Sequence, residues 1–535
     1  HQSDGMGGYR TKGYLYAGGR SHSRGMGFLG FESFIEQDFA ANTTTKQTYE
    51  CYGNFCFIAL KKKTLSFFGS LHSVTDYTNK LAVIGVGTRT FYPIYSKESI
   101  YEHESETYKG CREKRRAIDK FGNTISETEI FNGTDSIVNT TEFFTINDKN
   151  IRPAKWTMSF PSSSTTEYFR EGTPPMTTSK KMEYDSNFNL IKCENYGNNE
   201  LLTTEQMTYD AAGNILSKTQ SAGTSSRTEK YGYSELLYKI SEQDAENYVS
   251  SFSYDSSTGM MTKSVEAAAT IEEYSYDPFF NVSKCLKNSK IESCQLRRWS
   301  AGSPDAPSNS VYLNYIETAG ESPIVEFYDL VGNKIREVKI VFGGKKVYVD
   351  WEYDNLGRVY SVTMPYFQGD TPQYSYYEYD DLGRISSLEH PDGSSNSYYY
   401  YHNFEGGMNT YFINEIGHGI TKETNSHGEL ISVTDADDNK IMYKYDAIGN
   451  CTQIITPTKV IEMAYDNAGN RTTLNDPDCG IYTFTYDGFG NVKERVHEES
   501  GTTISFKYDK LNRVIRKKSS ENDININNQP TILGS

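Results

Sequence analysis

Between Tyr353 and Val514 one short phrase keeps returning: a tyrosine, an aspartate, two variable residues, a glycine, then Arg or Asn. The copies are Tyr353-Asp354-x-x-Gly357-Arg358, Tyr379-Asp380-x-x-Gly383-Arg384, Tyr445-Asp446-x-x-Gly449, Tyr465-Asp466-x-x-Gly469 and Tyr486-Asp487-x-x-Gly490. Tyr508-Asp509, with Asn512 in place of glycine before Arg513, closes the series. Upstream, Tyr209-Asp210-x-x-Gly213 and Tyr328-Asp329-x-x-Gly332 match as well. The last copies are spaced by 20, 21 and 22 residues. A fixed period of this size marks a repeat architecture. Its core runs continuously from unit to unit, so the several domains that 535 residues would otherwise suggest are not expected.

The phrase has a mechanical reading. Asp at the first position and Gly at the fourth are type I turn preferences, and the carboxylate can bond backbone N–H groups two residues on. The glycine can then turn left-handed and form a bulge that closes a hairpin. This predicts the cross-strand pairs Tyr353/Val359, Tyr379/Ile385, Tyr486/Val492 and Tyr508/Val514. An aromatic against a β-branched residue contributes roughly 0.2–1 kcal/mol. Asn512 is the next most tolerant choice for positive φ. Each unit of about 21 residues is then two strands and two turns, and the fold class is all-β, an array of antiparallel hairpins. Two copies, Tyr184-Asp185 to Asn189 and Tyr276-Asp277 to Asn281, place Phe188 and Phe280 where glycine belongs, and a different turn geometry is expected there.

Three regions follow. Residues 1–117 form a β-rich lead-in without the phrase, residues 118–520 the repeat array, and residues 521–535 a polar, Asn-rich tail expected to fray. Worn copies fall at Asp119–Asn123, near Tyr233, at His402–Gly406 and at Thr424–Gly428; Ser300–Pro307 reads as an inserted loop. The chain begins at His1 without Met, which reads as a piece of something longer. A net charge of −16 argues against nucleic acid, and the basic run Arg112–Arg116 reads as a solvated strand edge. No apolar stretch approaches the length of a membrane-spanning helix. Eight cysteines are too few for a disulfide framework, and Cys51/Cys56 and Cys285/Cys294 have no matching zinc-ligand set.

These phrases resemble the Rhs/YD-repeat family. The stretch from Trp351 to Gly393 is similar to the B and C components of bacterial insecticidal toxin complexes, and Gly25–Phe31 upstream is similar to the phrase that enters the repeats in B components, so the chain resembles the B component most. The resemblance implies that the hairpins wind into a spiralling sheet, part of a hollow shell around a toxic segment held largely unfolded. It also implies secretion as part of a toxin or surface protein. The family's Asp-Pro-rich autoproteolytic core is not found; Asp476–Gly480 matches an ordinary repeat turn. The cargo would be supplied elsewhere, by the rest of the full-length chain or by a C-like Rhs partner. The alternative is a cell-surface adhesion module whose Tyr-rich strands meet glycans.

No enzymatic chemistry is expected: each strong Asp has a turn to hold, the nine His form no metal-ligand spacing, and Asp435–Asn439 lacks the Gly and Glu of a calcium loop. No catalytic, cofactor or metal residue is therefore named, and the repeat residues above stand as structural.

Overall fold

A computed structural model describes residues 2–3, 9–21, 28–52, 57–84, 88–102, 105–119, 121–144, 160–234, 237–278, 280–404, 406–519 and 523–525. Nearly every element is a strand, and one 3-10 turn, Phe342–Gly344, is the sole helical element among the described residues. Lys12–Ala17 pairs with Ser33–Asp38, and from there each strand pairs antiparallel with its sequence neighbour to Asp523–Asn525. The one fork is at Lys346–Tyr353, which meets both Val359–Thr363 and Tyr366–Phe367 on the same side. Those two pieces are one strand interrupted at Met364-Pro365, since a residue without an N–H sits in a sheet only at an edge or a break. No pairing joins the first strand to the last, so among the described residues the sheet is open.

Although open, the ribbon meets itself. Asn132 Nδ2 donates to the Phe404 carbonyl at 3.0 Å, 272 residues on. Asp135 meets His427, Asn198 meets Asn467, and Glu246 accepts from the Lys510 N–H at 2.6 Å, across 292, 269 and 264 residues. A continuous sheet that contacts itself at this near-constant interval is a coil. The hairpin tips that bear no tyrosine phrase, on the first winding, carry the tyrosine-phrase turns of the second. Roughly twenty strands lie in one winding; at about 4.8 Å per strand the circumference is on the order of 100 Å and the diameter on the order of 30 Å.

Among the described residues, side chains are mostly half-buried, as in a single-layer sheet, and the compact core lies in one place. Leu313, Phe327, Ile335, Val338 and Tyr348 pack together, with Ala306 of the predicted inserted loop laid over them. Two sequence expectations change. Arg112–Arg116 lies in an interior strand, Tyr108–Ile118, paired on both sides, and its cations meet Glu127 and Glu129 on the next strand. It is not an edge because the lead-in hairpins continue the same sheet. In the tail, Asp523–Asn525 adds a short strand to Arg516–Lys518, and the other residues from 520 on lie outside the described ones. So do residues 22–27, most of the Gly-rich lead-in stretch; Phe28–Gly30 pairs with Arg20–Ser21.

Candidate functional site: repeat turns and the seam between windings

Every intact phrase folds the same way. At Asp210, Asp329, Asp354, Asp380, Asp446, Asp466, Asp487 and Asp509, one carboxylate oxygen accepts the N–H groups two and four residues on. The other oxygen takes the side chain at the sixth position: Asn214, Asn333, Asn450, Asn470 and Asn491 through their amides, Arg358, Arg384 and Arg513 through Nε. Gly213, Gly332, Gly357, Gly383, Gly449, Gly469 and Gly490 have φ between 77° and 95°, and Asn512 has 63°. The predicted pairs Tyr353/Val359, Tyr379/Ile385, Tyr486/Val492 and Tyr508/Val514 are present, each with a register shift at the tyrosine. The side-chain amide of the sixth residue holds the Asp185 and Asp210 carboxyls below their usual range.

The two phenylalanine turns keep the common geometry, against expectation. Phe188 and Phe280 take φ of 68° and 64°, and Asp185 and Asp277 make the same hydrogen bonds to Asn189 and Asn281. The carboxylate–amide clamp outweighs the backbone cost; Phe188 also stacks on Phe160, ring centroids 5.1 Å apart. The worn copies at Asp119, Asn403 and Asn425 close with the same backbone bonds. So do Asp244, Glu266, Asn414 and Asp435, which lie at half-period on the opposite edge and carry no tyrosine to mark them in the sequence. Their signal is a polar turn residue, mostly Asp or Asn, about half a period from each phrase. Asp435–Asn439 is therefore a repeat turn.

An added Cβ at Gly357 would meet open space, and at Gly383 and Gly469 it would meet only the ends of Arg358 and Asn450, at 3.6 and 3.8 Å. Valine at Gly357, Gly383 or Gly469 then tests backbone strain alone. Each is expected to cost more than about 1 kcal/mol, read as a lowered thermal midpoint. Three variants melting like the parent would remove the turn assignment.

The tyrosines do something the spacing did not suggest. Most phrase tyrosines send their hydroxyl back to the preceding unit, to the carbonyl just past that unit's turn. Tyr209 donates to Leu190, Tyr353 to Lys334, Tyr379 to Val359, Tyr445 to Leu430, Tyr465 to Cys451, Tyr486 to Arg471 and Tyr508 to Val492, at 2.6–2.9 Å. In the worn copy at His402 the donor is Tyr400, to Ile385. Burial raises the pKa of all eight. Tyr328 differs, bonding Glu326 and stacking on Tyr312. Arg358 and Arg384 lie over the rings of Tyr379 and Tyr400 in the next unit, at 4.3 and 4.2 Å.

The seam uses residues that the phrase leaves variable. Asn467 bonds both Asn198 and Glu200, and a Cβ at Gly197 would overlap the Asn467 carbonyl. A Cβ at Gly488 would stand 2.6 Å from the Ala222 carbonyl oxygen, and one at Gly110 would stand 2.8 Å from Gly406 Cα. Arg227 covers the Phe489 ring at 4.5 Å. His427 Nε2 lies 3.0 Å from Asp135, and Arg170 bonds Glu429 at 2.9 Å. Nothing in one sequence flags these positions, because the contact depends on the winding length.

A polar clamp fixes the inserted loop. Asp305 takes Lys346 and the Tyr348 hydroxyl at 2.6 and 2.8 Å; Asp350 takes Arg336 in a two-point ion pair and the Tyr366 hydroxyl. Burial and these carboxylates push Tyr348 and Tyr366 up to about 12. Among the described residues no three His, Cys, Asp or Glu are placed to hold a metal ion. Cys285 and Cys294 stand on neighbouring strands one register step apart, facing Ser293 and Lys284. What the arrangement offers is ties, from turn to turn within a winding and from one winding to the next.

The RHS repeat family model matches residues 425–461. No curated protein sequence matches the chain. Among solved structures, the crystal structure of TcdB2-TccC3 without its hypervariable C-terminal region is similar with a TM-score of 0.75 at 11% identity, over 95% of this chain and 39% of that one. TcdB2-TccC3-Cdc42 gives 0.74 at 11%, over 95% and 40%, and the Tc holotoxin pore of Photorhabdus luminescens gives 0.70 at 10%, over 96% and 39%. The chain spans about 40% of the length of these chains, and the likeness is one of fold.

Proposed function

This chain carries the RHS repeat and the fold of the toxin-complex structures, and from that premise we propose that it is a wall segment of a toxin-encapsulating shell. Its part is structural, not catalytic. The observation that carries the reading is the self-contact of the coil, which turns an open ribbon into a wall around a space. A winding on the order of 30 Å across, less a layer of side chains on each side, leaves a bore on the order of 20 Å. A folded domain of about 150 residues has a radius of gyration of about 15 Å and is too wide for it, whereas an extended chain fits. The cargo is therefore a polypeptide kept largely unfolded, supplied by the rest of the full-length chain or by a C-like Rhs partner, and the assembly acts outside the producing cell.

The test is to assemble this chain with a C-like partner carrying a reporter segment and to add protease. Protection of the reporter only in the assembled complex supports enclosure. A reporter cut equally fast with and without this chain, in a verified complex, rejects it. Glycan recognition through exposed aromatics such as Tyr399 and Tyr401 would then be the reading to pursue.

A further inference from the structure

Two seam contacts contain histidine, and their surroundings are opposite. His402, on the second winding, abuts the lead-in hairpin of the first. Its backbone N–H donates to Glu102 Oε2 at 3.0 Å, and its ring lies 5.9 Å from that of His72. Its Nε2 is buried and has no hydrogen-bond partner. The described charges around it are Glu102, shared with Lys109 at 3.7 Å, and Arg384, held by Asp380 at 2.7 Å. Each described carboxylate there already has a cation, so a proton on Nε2 adds positive charge beside Lys109 and Arg384 with no acceptor among the described residues to take it. One step along the seam, His427 Nε2 faces Asp135 at 3.0 Å, its ring against Phe131, with Arg170 3.9 Å from Asp135 and bonded to Glu429. That ring nitrogen has a carboxylate within hydrogen-bond reach, which His402 lacks.

We propose that the contact around His402 is an acid-released latch between the lead-in hairpins and the repeat array, and that the contact at His427 is the fixed point beside it. Burial lowers the pKa of His402; Glu102 and a backbone bond at Gly407 pull the other way and are outweighed. An exposed histidine takes up its proton near pH 6.5, so the released state binds the proton more readily than the closed one. Closure is favoured above about pH 6.5 and is lost as pH falls below it. Release at 402 with retention at 427 swings the lead-in away while the coil stays wound.

Hydrogen exchange at pH 7.5 and 5.5, corrected for intrinsic rates, reads this directly. Amides of 98–102, 108–112 and 396–404 should exchange about tenfold faster at pH 5.5, one pH unit of a single coupled proton, while 425–436 stays protected. His402→Phe, which keeps the ring and cannot be protonated, should abolish the difference. Should that variant fold poorly, His427→Gln in its place should leave the pH response at 402 intact. Unchanged protection across 396–404 in the parent, simultaneous opening of the whole chain, or earlier release at 425–436 would each overturn the latch.

Discussion

A chain carrying Gly197→Val and Gly488→Val together should keep its hairpins and lose its coil. Neither glycine has the positive φ that would make any side chain costly, so the strand end at 197 and the turn at 488 can each accept valine. The obstruction lies across the seam: the Asn467 carbonyl for residue 197, and the Ala222 backbone and Cβ for residue 488. Both obstacles are main chain or next to it and cannot rotate aside. Overfilling a closed contact costs about 1–3 kcal/mol per site, and the two sites act on the same interface. Far-UV circular dichroism is expected to stay that of the parent, while small-angle scattering shows a larger radius and protease cuts appear at the tips near 198–199 and 223–224. An unchanged radius and cleavage pattern would mean that the windings do not support one another.

The second large effect is expected in alkali. An unfolded tyrosine ionises near pH 10. The phrase tyrosines are held protonated above that by burial, and Tyr348 and Tyr366 are pushed up to about 12. A raised folded pKa gives stability that is fully present below pH 10 and lost as pH rises through the folded values. Each tyrosine still protonated in the fold and ionised in the unfolded chain lowers stability by at most about 1.4 kcal/mol per pH unit, less where water reaches the hydroxyl. The ties between units add in the same direction. Exposed tyrosines such as Tyr399 and Tyr401 ionise near pH 10 on their own; beyond that, tyrosinate absorbance at 295 nm should rise, and β signal fall, together in one later step. Gradual ionisation with the β signal intact to pH 12 would show that the hydroxyls are not buried ties.

The turn is legible because it is local: Asp, Gly and the residue after them lie within six positions, and their bonds close within that span. Phe188 and Phe280 mislead because a propensity for φ says nothing of the clamp from Asn189 and Asn281. The half-period turn at Asn414 stays hidden because no tyrosine precedes it, whereas Asp435–Asn439 reads as a solvated turn from its own residues and is one. The seam is not legible at all. Its partners lie 259 to 300 residues apart, and that interval depends on how many strands make one winding. The basic run is misplaced for a related reason, since whether a strand is an edge depends on its neighbours and not on its own charges.

The hydroxyl ties all point one way, each from a tyrosine to the unit made before it. A ribosome delivers the chain in that same order. Every new hairpin can therefore dock on a finished one and bond it without waiting for anything downstream, so the wall grows as a filament does, from a single advancing end. Until the first winding is complete, the growing end has only its predecessor to hold. After that it also runs along a completed course below, as bricklaying does once the first row is down.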